Sequence, residues 1–357
     1  MTDKFRMDSH KLLWHIDRLQ EWKKGKKIAP LHIDLGITTG CNMACSYCYG
    51  VLQGRTNENH RFDMPAESLI RLIQDAKDVG VRSIAFIGEG ENTLNLALYD
   101  GLMCAKEVGI DVSLATNGIA INADHIPLML SSLKWIRFNI SAATPESYFK
   151  IHRVMCFDTV CRNIEACIQE RNKLKSETTI GLQMVLTHDN VDDIVPLAKL
   201  GVNLGVDYLV IKPCSDSPEK SLNAPTHEYL DMEPLLTEAE SYGTDSYSVI
   251  IKWQKMKNLG IKQFKKCFGT QFIIGISGDG TVFPCGHFFN IQRENYEMGN
   301  IIKNSFKEIV ESDRYWDVQK RISRVNVNTD CETNCRQYYV SSFLESLQEV
   351  PAHVNFI

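Results

Sequence analysis

Residues 32–38 read His-Ile-Asp-Leu-Gly-Ile-Thr, and the loop Cys41-Asn-Met-Ala-Cys45-Ser-Tyr-Cys48 follows directly. The apolar run predicts a β-strand that ends where the cysteine loop begins. Five further predicted strands, each paired with an amphipathic helical segment, lie at residues 83–87, 112–115, 135–140, 180–186 and 208–211. Six strand-then-helix units predict an α/β fold with a parallel sheet, either a partial (β/α)6 barrel or a doubly wound sheet. Functional loops are then expected at the carboxyl ends of the strands.

Composition restricts the class of protein before any motif is considered. The chain has 357 residues, is 44% hydrophobic and 23% charged, and has a net charge of -5. These values exclude a disordered or fibrous chain and argue against nucleic-acid partners or an acidic membrane surface. No apolar run reaches the roughly 18 residues of a membrane span, and the start lacks a signal-peptide apolar region. A cytoplasmic location is therefore expected, where the 12 cysteines are poorly explained by disulfides.

The cysteines fall into three sets. The first is the CxxxCxxC loop of Cys41, Cys45 and Cys48, and the last contains Cys267, Cys285, Cys331 and Cys335. The others are scattered, at Cys104, Cys156, Cys161, Cys167 and Cys214. Three thiolates cannot complete a tetrahedral zinc site unless a fourth ligand such as His60 joins them. They can hold three irons of a [4Fe–4S] cube and leave the fourth open.

The pattern changes after about residue 215. Residues 244–266 are irregular and lysine-rich, whereas 272–276 and 282–283 flank Ser277-Gly278-Asp279-Gly280, a hairpin signal, with two helices expected near 304–323. We therefore predict an N-terminal helical extension (1–30), a barrel domain (31–243) and a small α+β module with a C-terminal helix (244–357). The four cysteines of this module could hold either zinc or a second cluster.

The loop CxxxCxYC, with Tyr49 next to it, resembles the cluster loop of the radical S-adenosylmethionine (SAM) enzymes. The resemblance covers roughly residues 30–215 and implies a partial (β/α)6 barrel. In that family the open iron chelates SAM, and one electron from the reduced cluster cleaves SAM to methionine and a 5′-deoxyadenosyl radical. That radical abstracts a hydrogen atom from the substrate. The resemblance implies that Cys41, Cys45 and Cys48 hold the SAM cluster.

Further positions match elements of the family that contact SAM. Gly88-Glu89-Gly90-Glu91-Asn92 resembles the GGEP motif, although Glu89 replaces a glycine and Asn92 replaces the proline. Thr116-Asn117-Gly118 resembles a second recurrent element at the end of the third strand. The expected SAM contacts, with two candidates from the end of the fourth strand, are Gly88, Glu89, Gly90, Glu91, Thr116, Asn117, Asn139 and Ser141.

The second cysteine set resembles the SPASM/twitch extension of the same enzymes. Because the region has fewer cysteines than a full SPASM module, the shorter twitch version with one fully ligated auxiliary [4Fe–4S] cluster is the better match. The implied cofactors are two [4Fe–4S] clusters and SAM. A flavodoxin or ferredoxin-type protein is the implied electron donor.

The resemblance implies a radical SAM oxidoreductase or epimerase. We expect a small polar metabolite as substrate, such as a sugar, cyclitol or nucleotide sugar; a maturase acting on a peptide is the alternative. Cys214 is a candidate hydrogen-atom donor for epimerisation, and Lys212 could contact substrate or accept a proton. A third possibility is a zinc-stabilised protein that binds SAM or a nucleotide without radical chemistry.

Overall fold

A ten-stranded, mostly parallel β-sheet forms the centre of the fold in the computed structural model, which describes residues 9–356. The strand order is β12-β11-β10-β1-β4-β5-β6-β7-β8-β9, and β2 pairs separately with β3. The strands are β1 (His32–Leu35), β2 (Gly40–Cys41), β3 (Thr56–Asn57), β4 (Ser83–Phe86), β5 (Asp111–Thr116), β6 (Leu133–Asn139), β7 (Thr179–Leu186), β8 (Tyr208–Pro213), β9 (Ser248–Ile251), β10 (Ile273–Ile276), β11 (Thr281–Phe283) and β12 (Gly299–Asn300).

The six strands predicted from sequence are β1 and β4 to β8, and they pair in parallel in chain order. The α/β fold is therefore confirmed, and its sheet is consistent with the partial barrel. One further strand, β9, extends this sheet beside β8, although its region was expected to be irregular. The four residues of β9, Ser-Val-Ile-Ile, make a run too short to stand out beside the lysines that follow it.

The helices cover the sheet and supply much of the core. In α2, Leu69, Leu72, Ile73 and Ala76 are buried, as their i, i+3, i+4, i+7 spacing predicts. The helices are α1 (Ile16–Lys23), α2 (Ala66–Asp78), α3 (Ala97–Val108), α4 (Ile126–Ser132), α5 (Pro145–His152), α6 (Phe157–Leu174), α7 (Ile194–Leu204), α8 (Glu228–Asp231), α9 (Glu233–Glu240), α10 (Trp253–Lys257), α11 (Arg293–Tyr296), α12 (Phe306–Glu311), α13 (Asp313–Ile322) and α14 (Tyr338–Ser346).

The predicted hairpin is formed by β10 and β11, which pair antiparallel around a turn where Gly280 has a φ of 83°. Only glycine adopts this left-handed conformation at little cost. Strand β10 also pairs in parallel with β1, so the hairpin joins the central sheet. The domain division at 243/244 stays a prediction.

The N-terminal and C-terminal helices pack together against this hairpin. Leu19 and Trp22 of α1 share a buried cluster with Phe272 and with Leu344 of α14. Of the helices in residues 9–356, none combines the length and the apolar character needed to cross a membrane.

Candidate active site

The first cysteine loop begins where β1 ends and is held close to the sheet by backbone contacts. Strand β2, which contains Cys41, pairs with β3 further along the loop. Gly90 packs so tightly that a Cβ atom there would lie 2.4 Å from the Gly40 carbonyl oxygen. At Gly50 a Cβ atom would lie 2.5 Å from the Glu89 carbonyl oxygen and 3.2 Å from the Cys48 sulfur. Glycine at both positions lets the glycine-rich loop approach the cysteines.

The three thiols of this loop lie within electrostatic reach of one another. Burial raises the pKa of Cys41 to about 11, with smaller contributions from Glu91 and Cys48. Burial also raises the pKa of Cys45 far above its ordinary value, and the charges of Cys48 and Cys41 add to it. With pKa values this high, the thiols stay protonated at neutral pH unless a positive charge stabilises the thiolates. A bound metal group supplies that charge and lowers the thiol pKa values. The donor set fits a cluster with one open iron.

His152, at the end of α5, is a contact of this loop that the sequence did not indicate. Its Nε2 donates to the Ile140 carbonyl oxygen, so the neutral ring accepts at Nδ1, which lies 3.0 Å from the Cys45 sulfur. Burial lowers the pKa of His152 to about 4, which keeps the ring neutral. His152 is separated from Cys45 by more than 100 residues, so no local motif links them.

The glycine-rich loop uses its two carboxylates for contacts within the protein. Glu91 accepts hydrogen bonds from the Thr116 hydroxyl and the Asn117 backbone N–H, both at 2.7 Å, so it fixes the end of β5. Glu89 accepts from the Ser277 hydroxyl at 2.7 Å and the Gly278 amide at 2.9 Å. The loop is thereby held at both carboxylates.

The other expected SAM contacts gather at the neighbouring strand ends. The Asn139 amide and the Ser141 hydroxyl each lie 3.0 Å from the Tyr47 hydroxyl, beside Cys48 in the chain. The side-chain amide of Asn117 donates from Nδ2 to the side-chain oxygen of Asn42 at 2.7 Å, and this Nδ2 lies 4.0 Å from the Cys41 sulfur. These residues therefore surround the first cysteine loop, and their contact with SAM stays a prediction.

The second cysteine set brings four partly buried thiols within electrostatic reach of one another. Burial raises the pKa of Cys285 well above its ordinary value, with added effects from Cys335, Cys331 and Cys267. Burial raises the pKa of Cys331 to about 12, and Cys267 adds to this shift. Within residues 9–356, no three His, Cys, Asp or Glu side chains converge closely enough for a single metal ion. Four thiols supply the full ligand set of a [4Fe–4S] cluster.

Two lysines of the lysine-rich segment turn inward to this second set. Lys255 donates to the carbonyl oxygens of Asn334 and Cys335 at 3.4 and 3.1 Å. Lys262 is buried and donates to the Glu332 carbonyl oxygen at 2.5 Å. These lysines therefore order the loop between Cys331 and Cys335.

Both cysteine sets open into one cavity of about 360 Å³. Its lining includes Cys48 from the first set, Cys285 and Cys335 from the second, and Lys212 from β8. Burial, and next the charge of Arg137, lower the pKa of Lys212 to about 7.

Cys214 lies behind the wall of this cavity. Its neighbours Pro213 and Ser215 line the cavity, whereas the Cys214 thiol is 1% exposed and packs with Tyr47, Ile151 and Val185. Its role as a hydrogen donor stays a prediction.

Comparison with known proteins identifies the family. The model of the radical SAM superfamily matches residues 35–201, and that of an iron–sulfur cluster-binding (SPASM) domain matches 267–336. The chain belongs to the radical SAM superfamily and carries a SPASM-type domain. Its cofactors are SAM and two [4Fe–4S] clusters. Each model covers one complete cysteine set.

Individual relatives are distant. A tungsten-containing aldehyde ferredoxin oxidoreductase cofactor-modifying protein of Pyrococcus furiosus is 22% identical over 80% of this chain and 82% of its own length. A probable GTP 3′,8-cyclase of Saccharolobus islandicus is 28% identical over 52% of this chain and 56% of its own. Streptococcus suis SuiB, solved with its precursor peptide SuiA, superposes with a TM-score of 0.66 at 16% identity, covering 89% of this chain and 74% of SuiB.

Proposed function

We propose that this enzyme abstracts a hydrogen atom from a small polar metabolite held between its two cluster sites, and oxidises it. The observation that supports this is the single cavity lined by cysteines of both sets. The same cavity also has to hold part of SAM, because Gly88 and Asn139, two of the expected SAM contacts, line it. A substrate in this cavity lies against both sets at once.

The cluster ligands follow from the two thiol groups. We assign the SAM cluster to Cys41, Cys45 and Cys48, and the auxiliary cluster to Cys267, Cys285, Cys331 and Cys335. When bound, SAM and its cluster would supply the radical that takes one hydrogen atom from the substrate. The auxiliary cluster would accept the remaining electron, and the proton would pass to water. The protein contributes the substrate cavity, in which Lys212 contacts the substrate directly.

The placement of Cys214 favours oxidation over epimerisation. Epimerisation requires a hydrogen donor that reaches the substrate radical. The Cys214 thiol is buried behind Pro213 and Ser215 and lies 3.4 Å from the carbonyl oxygen of Ser215. Hydrogen donation would therefore require this wall to move.

Modification of a peptide is the second candidate function. SuiB, whose fold resembles this chain over 89% of its length, is bound to a precursor peptide in its solved structure. A peptide would place a side chain in the cavity between the two cysteine sets. A peptide would leave most of its length outside the cavity.

Anaerobic reconstitution and incubation in heavy water test the proposal. We expect about eight irons per chain and dithionite-dependent formation of 5′-deoxyadenosine. A product two mass units lighter than the substrate, without solvent deuterium, indicates oxidation. Deuterium at a carbon indicates quenching by a thiol, and zinc without SAM cleavage would contradict the whole proposal.

A matched pair of variants tests the ligand assignment. Cys48→Ala should lose about four irons and all SAM cleavage. Cys285→Ala should lose a similar amount of iron but still cleave SAM, because the first set is intact. Equal loss of SAM cleavage in both variants would contradict the division into two sites.

A further inference from the structure

Two cationic side chains line the same cavity, Arg137 from β6 and Lys212 from β8. Strand β7 separates their strands in the sheet, and both side chains line the cavity. The charge of Arg137 acts directly on Lys212, whose pKa it helps to lower. Two like charges out of bulk water repel each other and are costly to bury without a counter-charge.

Neither cation has its donors satisfied by the protein. Within the described part of the chain, Lys212 donates no hydrogen bond and forms no ion pair within 4 Å. The Nε atom of Arg137 is buried and has no hydrogen-bond partner. The guanidinium stacks over the Trp135 ring at 5.0 Å and hydrogen-bonds Tyr208, which fixes its orientation. Buried donors without partners are rare and indicate an absent acceptor.

The carboxylates of the cavity do not supply this acceptor. Asp34 receives Arg336 at 3.1 Å and lies 3.0 Å from His32 Nε2. Glu332 lies between Cys331 and Cys335, where its charge acts on Lys255 as well as on Lys212. Four Lys and Arg side chains thus face two carboxylates in the lining. Asp34 is paired with Arg336, and Glu332 is shared between Lys255 and Lys212, so the two carboxylates do not balance the four cations of the lining.

We propose that Arg137 and Lys212 form a subsite for an anionic group of the substrate, a carboxylate or a phosphate. The guanidinium and ammonium groups supply charge-assisted hydrogen bonds to the same group from two directions. This inference rests on the proposed function, whose substrate class it narrows to anionic metabolites. An anion beside Lys212 keeps its ammonium protonated, so Lys212 binds the substrate and does not act as a base.

The test measures anion binding to the reconstituted holoenzyme, saturated with SAM, by anaerobic calorimetry in a buffer free of other oxyanions. The probes are inorganic phosphate and succinate. We expect at least one to bind, and Arg137→Met and Lys212→Met each to weaken that Kd about tenfold or more. Lys212→Arg, which keeps the charge, should retain most of the affinity, and Lys307→Met on the exposed face of α12 should change nothing.

The results separate the possible sources of the anion. Preference for phosphate or succinate indicates a phosphorylated or a carboxylate substrate. If neither probe binds the wild type, or if the probes bind the double variant Arg137→Met/Lys212→Met as tightly as the wild type, the subsite does not exist. If the variants weaken SAM binding instead, the pair serves the SAM carboxylate and the inference is wrong.

Iron content and 5′-deoxyadenosine formation are measured on the same samples. Unchanged iron in the variants shows that they are folded. Variant-sensitive anion binding without SAM cleavage would contradict the proposed function and leave an anion site. SAM cleavage with variant-insensitive anion binding would contradict only the subsite.

Discussion

At the scale of single residues, Glu89 shows how this chain departs from its family's motif. It stands where the family has a glycine, and its carboxylate links the glycine-rich loop to the β10–β11 hairpin. One carboxylate oxygen is buried without a hydrogen-bond partner. Burial raises the pKa of Glu89 to about 7. The side chain therefore connects the barrel to the C-terminal module, and its effect on the free energy of unfolding depends on pH.

Glu89→Gln should reduce the pH dependence of stability. Between the unfolded pKa of about 4.3 and the folded pKa of about 7, the folded state retains a proton that the unfolded state has lost. Stability from this group is therefore present at low pH and lost as pH rises to about 7, by about 3 kcal/mol. Melting temperatures of the holoenzyme at pH 5 and 7.5 should differ less in the variant. Glu311→Gln is the exposed control; the same difference in all three proteins would contradict the role of Glu89.

Cys214→Ala should leave both SAM cleavage and product formation within about twofold of wild type. The thiol is buried among apolar side chains behind the wall of the cavity, so alanine removes little besides packing. 5′-Deoxyadenosine and product are quantified together. Continued SAM cleavage with loss of product would instead identify Cys214 as the hydrogen donor. Cys167→Ala, a buried cysteine of α6, controls for lost packing.

Residue types and spacing predicted the cysteine sets but not their surroundings. Glu89 was expected to contact SAM, yet its partners Ser277 and Gly278 come from the hairpin far along the chain. Such long-range pairs leave no local pattern. The position of Arg137 could have been found from the sequence. Asn139 was predicted to contact SAM, and Arg137 lies two residues before it on the same strand. Residues i and i+2 of a strand point to the same face.

At the scale of elements, two side chains of the first cysteine loop reach the turn that follows Cys285. The Tyr49 hydroxyl donates to His287 Nδ1 at 2.7 Å, since His287 Nε2 donates to the Asp330 carbonyl oxygen at 2.8 Å. Gln53 donates to the Gly286 carbonyl oxygen at 2.9 Å. These contacts fix one cluster loop relative to the other.

Tyr49→Phe should destabilise the holoenzyme by about 1–3 kcal/mol, because it leaves the buried His287 Nδ1 without a donor. Iron content should stay the same, because no cysteine changes. Differential scanning calorimetry should show a melting temperature lower by a few degrees. Tyr242→Phe is the matched control, since the Tyr242 ring faces Lys199 on the far side of the barrel sheet. Equal melting of both variants would show that the Tyr49 contact contributes nothing.

Elements with strong apolar patterns were predicted well from sequence, and weakly patterned ones were not. The six barrel strands and the hairpin have apolar runs bounded by turn residues. Strands β2 and β3 have two residues each, and β9, although as long as β1, lies directly before Lys252 and its lysine-rich segment, so their pairing depends on neighbours supplied by the fold. Tertiary context decides such short strands.

At the scale of the whole molecule, the C-terminal module and the barrel share one sheet. All four residues of β1 pair with β10 on one side and with β4 on the other. The module is therefore joined to the barrel through strand pairing as well as through the connecting chain. Removing it would expose an apolar strand edge and the buried face of β1.

Residues 1–243 produced alone should fail to fold. They lack β9 and β10, which cover the two edges of the barrel strands. Soluble yield and size-exclusion chromatography should show aggregation. A chain ending at Leu347, which loses only a largely exposed tail beyond α14, is the control and should behave as wild type. A monomeric, cooperatively melting 1–243 fragment would show that the barrel is independent.

The pairing of β1 with β10 also sets an order on biosynthesis. His32 pairs with Ile273, about 240 residues later, so the sheet stays open at β1 until nearly the whole chain has left the ribosome. Contacts between such distant residues form late and slowly. The first cysteine loop, which begins where β1 ends, therefore lies beside an unpaired strand edge until translation has passed residue 273.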